Sequence, residues 1–176
     1  MRVLVCALLV AIAPLSCQAE DQLGPPHPAI AAIQANLDRC RDATPGNTLE
    51  RHCTMESSKV VDTLLNKLYG QIVAKLKEAT GNDHDAKERG ELLKRLIASE
   101  RAWIVYRDAE CDHRSGYMLG GSGELTIYEE CMFTMRRDRV NDLFRLWRSI
   151  PGYREPVSRL DLPPAAIGAF VNCGRK

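Results

Sequence analysis

The chain has 176 residues, 24 Lys and Arg against 23 Asp and Glu, and 45% hydrophobic residues. Without Arg2, which falls in an expected leader, 23 basic residues balance 23 acidic ones, so the charge argues against a nucleic-acid or polyanion partner. The length suits one small domain, near the lower limit of what a single core stabilises unaided.

In chain order, Met1-Arg2 followed by the apolar run from Val3 to Leu15 and the small residues of Ser16-Cys17-Gln18-Ala19 predicts a signal peptide over 1–19. The run is too short for a membrane span. Export as a soluble protein, periplasmic or secreted, is the first expectation; a lipid anchor on Cys17, read from Leu15-Ser16-Cys17, is its alternative. No other stretch is apolar enough to cross a bilayer. Gly24-Pro25-Pro26-His27-Pro28 closes a stiff Pro-rich linker over 20–28.

The helical domain is expected over 29–150. Ala29 to Arg41 forms a short amphipathic helix, a turn follows at Thr44-Pro45-Gly46-Asn47, and Cys53 opens the next element. Val60, Val61, Leu64, Leu65, Leu68, Tyr69, Ile72, Val73 and Leu76 recur at helical spacing, with Lys59, Asp62, Lys67 and Lys75 off that stripe. Thr80-Gly81-Asn82-Asp83 breaks the helix, Asn82 or Asp83 capping the next one. A second long helix carries Leu92, Leu93, Leu96, Ile97, Trp103 and Ile104 and ends near Cys111. Ser115-Gly116 and Gly120-Gly121-Ser122-Gly123 form a loop. A third helix from about Leu125 to Arg148 has Tyr128, Met132, Met135, Leu143, Leu146 and Trp147 on its apolar side and stops at Ile150-Pro151-Gly152. Prolines 156, 163 and 164 predict an irregular tail over 151–176. The expected fold is all-α: a small bundle of three long helices plus a short N-terminal one.

Cys40, Cys53, Cys111, Cys131 and Cys173 remain after a cut at Ala19, and an oxidising compartment favours disulfides among them. Cys40 with Cys53 and Cys111 with Cys131 are the local choices, each worth about 3 kcal/mol in the loop-entropy picture. Spacing alone does not fix the pairing, and Cys173 is left to stay free, to link a second molecule or to displace one of these pairs.

Little of this pattern suggests catalysis. His27, His52, His84 and His113 are scattered and read as solvated surface residues, so no metal site is expected. Asp83-His84-Asp85 lacks the later oxygen ligands of a calcium loop. The glycine-rich loop is not a serine nucleophile elbow, and no acid stands in an apolar context suited to general-acid work. No enzyme activity and no cofactor are expected.

Glu100 and Asp108 are placed to pair with Arg101 and Arg107. Trp103, Tyr106, Arg107 and Asp108 form a structural motif leading to Cys111, the Arg-Asp step orienting the helix end and loop. Between Arg107 and Cys131 six acids face two strong bases, and the next helix is basic from Arg136 to Arg148. An acidic loop bearing Tyr117, Met118 and Leu119 suits a basic protein partner, with Asp112, Tyr117, Glu124, Glu129 and Glu130 as contacts. The second reading is a non-catalytic envelope protein that uses the basic helix toward an unknown protein.

Cys40, Thr48, Glu50, Cys53, Asp62, Leu65-Asn66 and Tyr69, then Trp103, Tyr106-Arg107-Asp108, Cys111, Gly120-Gly121, Cys131, Arg139 and Leu143, give the chain its family likeness. Over about residues 37 to 148 it resembles the LprI-type lysozyme inhibitor domain of secreted and lipid-anchored bacterial proteins. The resemblance implies the pairs Cys40–Cys53 and Cys111–Cys131, a lysozyme as partner, occlusion rather than turnover, and no catalytic residues. Arg136 departs from the Thr expected there.

Overall fold

In a computed structural model, residues 25–43, 46–78 and 83–150 are described. The expected leader, Cys17, the start of the linker, the break at 79–82 and the tail over 151–176 with Cys173 lie outside these residues. Four helices follow one another: α1 (Pro28–Ala43), α2 (Asn47–Lys77), α3 (Asp83–Ser115) and α4 (Glu124–Ser149), with a 3-10 turn at Gly116–Met118 after α3. The fold is the expected all-α bundle of three long helices and a shorter N-terminal one, and no strand occurs among the described residues.

The α2 stripe makes the centre. Val60, Val61, Leu64, Leu65, Leu68, Ile72 and Leu76 are buried against Ile30, Ile33 and Leu37 of α1 and against Phe133, Val140, Leu143, Phe144 and Trp147 of α4. Helix α2 is longer than its apolar pattern. It starts at Asn47, so Cys53 lies inside it rather than at its opening. The stripe is hidden there because three small polar residues take its place: Thr54, Ser57 and Ser58 are buried. Thr54 donates to the Glu50 carbonyl at 3.1 Å and accepts from Arg41 at 2.9 Å, which satisfies its hydroxyl inside the helix.

Both local disulfides are present, Cys40–Cys53 joining α1 to α2 and Cys111–Cys131 joining the end of α3 to the start of α4. A second small core of Cys111, Cys131 and Met132, with Tyr128 and Met135 against it, surrounds the latter.

Helix α3 is the outer helix and departs most from expectation. Leu96 is buried and Leu93 and Trp103 pack against the main core, but Leu92 and Ile104 are exposed. The true inward row is Leu93, Leu96, Glu100, Trp103, Arg107 and Cys111, which mixes charge with apolar groups and so blurs the pattern.

His27 corrects the surface-histidine expectation. It is buried, edge-on to Phe144 with ring centroids 4.9 Å apart, and its backbone N–H donates to Asn141 of α4 at 3.0 Å. Its Nδ1 accepts the Ala29 N–H at 3.1 Å, so the imidazole caps α1, with Pro28 in the first helical position where no N–H is needed. Burial lowers its pKa from 6.5 to about 4. Between those values the unfolded chain binds a proton that the folded chain refuses, so this contribution is complete above pH 6.5 and is lost as pH falls toward 4. The loss is at most roughly 3 kcal/mol. His27→Asn, which keeps a capping acceptor, should flatten the fall in denaturation midpoint over that window relative to the parent chain.

Candidate functional site

The loop between α3 and α4 begins where Cys111–Cys131 clamps the two helices together. Ser115 donates to the Asp112 carbonyl at 3.0 Å, closing the last turn of α3. Gly120 adopts a φ of +73°, the left-handed region that favours glycine. The Gly121 N–H donates to the Met118 carbonyl at 2.7 Å, and a Cβ at Gly121 would stand 2.9 Å from that oxygen. The Gly120 N–H donates to the Glu124 carboxylate at 2.8 Å, tying the turn to the first residue of α4.

This bracing leaves three consecutive large side chains in solvent: Tyr117 at 78%, Met118 at 47% and Leu119 at 80% exposure. Leu125, on the first turn of α4, is exposed beside the loop in sequence. The Tyr117 ring rests against His113 with centroids 5.3 Å apart, so the phenol has a support on α3. Exposed apolar groups on a braced backbone lose little conformational freedom on binding, the property expected of a docking element.

The five expected contacts divide by partner. Asp112 is exposed on α3 and Tyr117 stands on the loop. Neither Asp112 nor Glu129 has an ion-pair partner among the described residues. Glu124 is engaged in the loop itself, and Glu130 accepts from Arg41 of α1 at 2.8 Å, with Glu50 at 3.8 Å from the same guanidinium. The acidic excess counted along the chain is therefore partly spent inside the fold.

Arg107 joins Trp103 to Asp108 along α3, while Tyr106 is exposed on the outer face. Arg107 lies over the Trp103 ring at 5.0 Å and pairs with Asp108 at 2.7 Å. On the other element Arg139 reaches the same ring at 5.7 Å and grips Glu100 at 2.7 Å. Glu100 and Arg139 are the residues whose pairing chain spacing did not reveal, since it left Glu100 to Arg101 or Arg107. Glu100 sits one turn before Trp103 on the inward row, and that placement is the available signal.

The basic helix is largely neutralised within the fold. Arg136 lies 3.1 Å from Asp62 and donates to Ser58 at 2.5 Å, Arg137 pairs with Asp138, Arg145 with Asp142, and Arg148 lies over Phe144. The departure at Arg136 thus has a structural use, bridging α4 to α2. No group of three or more His, Cys, Asp or Glu among the described residues could hold a metal, and no described helix is long and apolar enough to cross a membrane.

Among known proteins, a family model described as "Lysozyme inhibitor LprI" matches residues 40–143. An uncharacterized protein of Rhizobium meliloti (strain 1021) is 34% identical over 100 residues, 55% of this chain and 70% of that protein. The uncharacterized protein YecT of Escherichia coli (strain K12) is 30% identical over 160 residues, 86% of this chain and 97% of that one. No solved structure matches significantly.

Proposed function

The chain belongs to the LprI lysozyme-inhibitor family, and on that premise we propose that it is an exported protein that binds a lysozyme and occludes its substrate cleft. The observation that supports this reading is the braced loop presenting Tyr117, Met118 and Leu119 to solvent above a disulfide. Such a projection suits a concave hydrolase cleft: the apolar tip supplies the buried centre of an interface, and acids around it supply the rim. Asp112 and Glu129 are the acids that remain for a basic partner, and they act more on the rate of encounter and its salt dependence than on residence time. Glu124 acts by holding the loop, and Glu130 by holding α1 through Arg41. Binding needs no chemistry, so the protein is read as an inhibitor without catalytic residues or a cofactor.

A lysis assay against a panel of lysozymes tests this reading. Inhibition should weaken at high salt, fall by a few-fold on Asp112→Lys or Glu129→Lys, and fall at least about tenfold on Leu119→Asp, a change worth more than about 1.4 kcal/mol at the interface centre. Inhibition of no lysozyme at micromolar protein removes the reading. Equal inhibition by Leu119→Asp moves the site elsewhere.

A further inference from the structure

The outward face of α3 is unusual for a solvated helix. Val105 is 70% and Tyr106 57% exposed, and Ala98, Ala102 and Ala109 are exposed with them. Ala98, Ala102, Val105 and Ala109 follow at steps of four, three and four residues, the spacing of a seam between two helices. None of these residues belongs to the loop surface described above. Charge on the two borders of the seam then discriminates among occupants.

Arg101 is exposed and pairs with no acid among the described residues. Asp108, one heptad further along the same border, keeps a side chain 50% exposed although Arg107 engages its Oδ1. In a parallel pair of such helices this border would meet the opposite border of its neighbour, where Ser99, Tyr106 and His113 stand; Arg101 would then face Tyr106 with no acid to pair with, and Asp108 only His113, whose ring already rests against Tyr117. In an antiparallel pair the border meets itself. Packing Ala102 against Val105 of the neighbour and Ala98 against Ala109 then sets Arg101 opposite Asp108, twice by symmetry. The same register sets exposed Arg95 opposite exposed Asp112. The face is therefore complementary to its own copy in both apolar spacing and charge, the condition for a two-fold interface.

We infer that the outer face of α3 is a self-association surface, on which a second copy of this chain packs antiparallel through Ala98, Ala102, Val105 and Ala109. From Ala98 to Ala109 the seam runs about three turns, roughly 17 Å, extended to roughly 26 Å by the Arg95 and Asp112 ends, and its small side chains let the helices approach closely. One helix per copy buries an area at the low end of specific interfaces, so the dimer is reversible and concentration-dependent.

Sedimentation equilibrium of the full chain without lysozyme, from low to high micromolar concentration, tests it. The average mass should rise toward that of two chains. Val105→Glu should weaken association at least about tenfold by burying a carboxylate from each copy beside the two-fold axis. Arg101→Glu and Asp108→Arg should each stay monomeric, the first by acid against acid and the second by base against base. Their equimolar mixture should dimerise again. The carboxylate introduced at position 101 of one copy then faces the guanidinium introduced at position 108 of the other, and the unchanged Asp108 of the first faces the unchanged Arg101 of the second. Circular dichroism confirms that each variant is folded, and Val105→Glu alone decides the matter if Asp108→Arg is not. A parent chain that remains monomeric throughout, association unchanged by Val105→Glu, or folded single variants whose mixture fails to associate overturns the inference. A parent chain that is monomeric until residues 151–176 are removed also overturns it, since the face is then covered within one molecule. Neither Arg101 nor Asp108 lies on the proposed lysozyme surface, so this test and the lysis assay fail independently.

Discussion

Arg139→Met, with Glu100 kept, is expected to lower stability by about 3 kcal/mol, near the lower end for breaking a buried pair from one side. The two side chains are 13% and 12% exposed and meet through two hydrogen bonds from the guanidinium to Oε2 of Glu100, at 2.9 and 2.7 Å. Removing the guanidinium leaves a carboxylate between α3 and α4 without its partner, and it also removes a hydrogen bond to Ser99 and a cation from the Trp103 ring. The double change Glu100→Met with Arg139→Met should recover most of the loss, because two apolar chains of similar volume fill the space without a stranded charge. Chemical denaturation of the parent, both single variants and the double one closes the cycle. A single-variant loss below about 0.5 kcal/mol would mean that the pair is screened like a surface one.

The second large effect concerns the staples. Replacing Cys111 and Cys131 together by Ala should cost about 3 kcal/mol, as the loop-entropy model gives for a separation of 20 residues. Replacing Cys40 and Cys53, separated by 13 residues, should cost nearly as much. The two variants differ in what else they lose. Beyond Trp103 and Arg107, helix α3 is held to the bundle chiefly by the small core around Cys111, so its last turns and the loop should exchange amide hydrogens freely without that staple. The Cys40–Cys53 variant should keep loop protection intact. If the loop is equally protected in both variants, the disulfide does not brace it and the hydrogen bonds from Gly120 and Gly121 suffice.

The helices could be read along the chain wherever apolar residues kept their spacing, as Val60 to Leu76 did. They could not where burial used polar groups. Thr54, Ser57 and Ser58 are as buried as the leucines, yet carry no hydrophobic signal, and so the first turns of α2 went unseen. On α3 the inward row contains Glu100 and Arg107, acceptable inside because Arg139 pairs with the first and Asp108 with the second, both guanidinium groups lying over Trp103; a pattern of apolar spacing assigns such residues to water. His27 was hidden for a similar reason, since its place between prolines suggests a linker, and only the fold supplies Phe144 and Asn141 as neighbours. The loop was legible as a loop from its glycines, and the exposed triplet from Tyr117 to Leu119 was visible in it. Which acids remain available was not, because Arg41 comes from a helix far away in sequence and meets Glu130 only after folding.

Amide hydrogen exchange of the full chain with and without an inhibited lysozyme is the most direct test of the proposed docking surface. Protection on binding should be strongest from Asp112 to Glu124 and should fall away along α4 beyond Cys131. Protection centred on Arg136 to Arg148, or on the outer face of α3 with the loop unchanged, would contradict it.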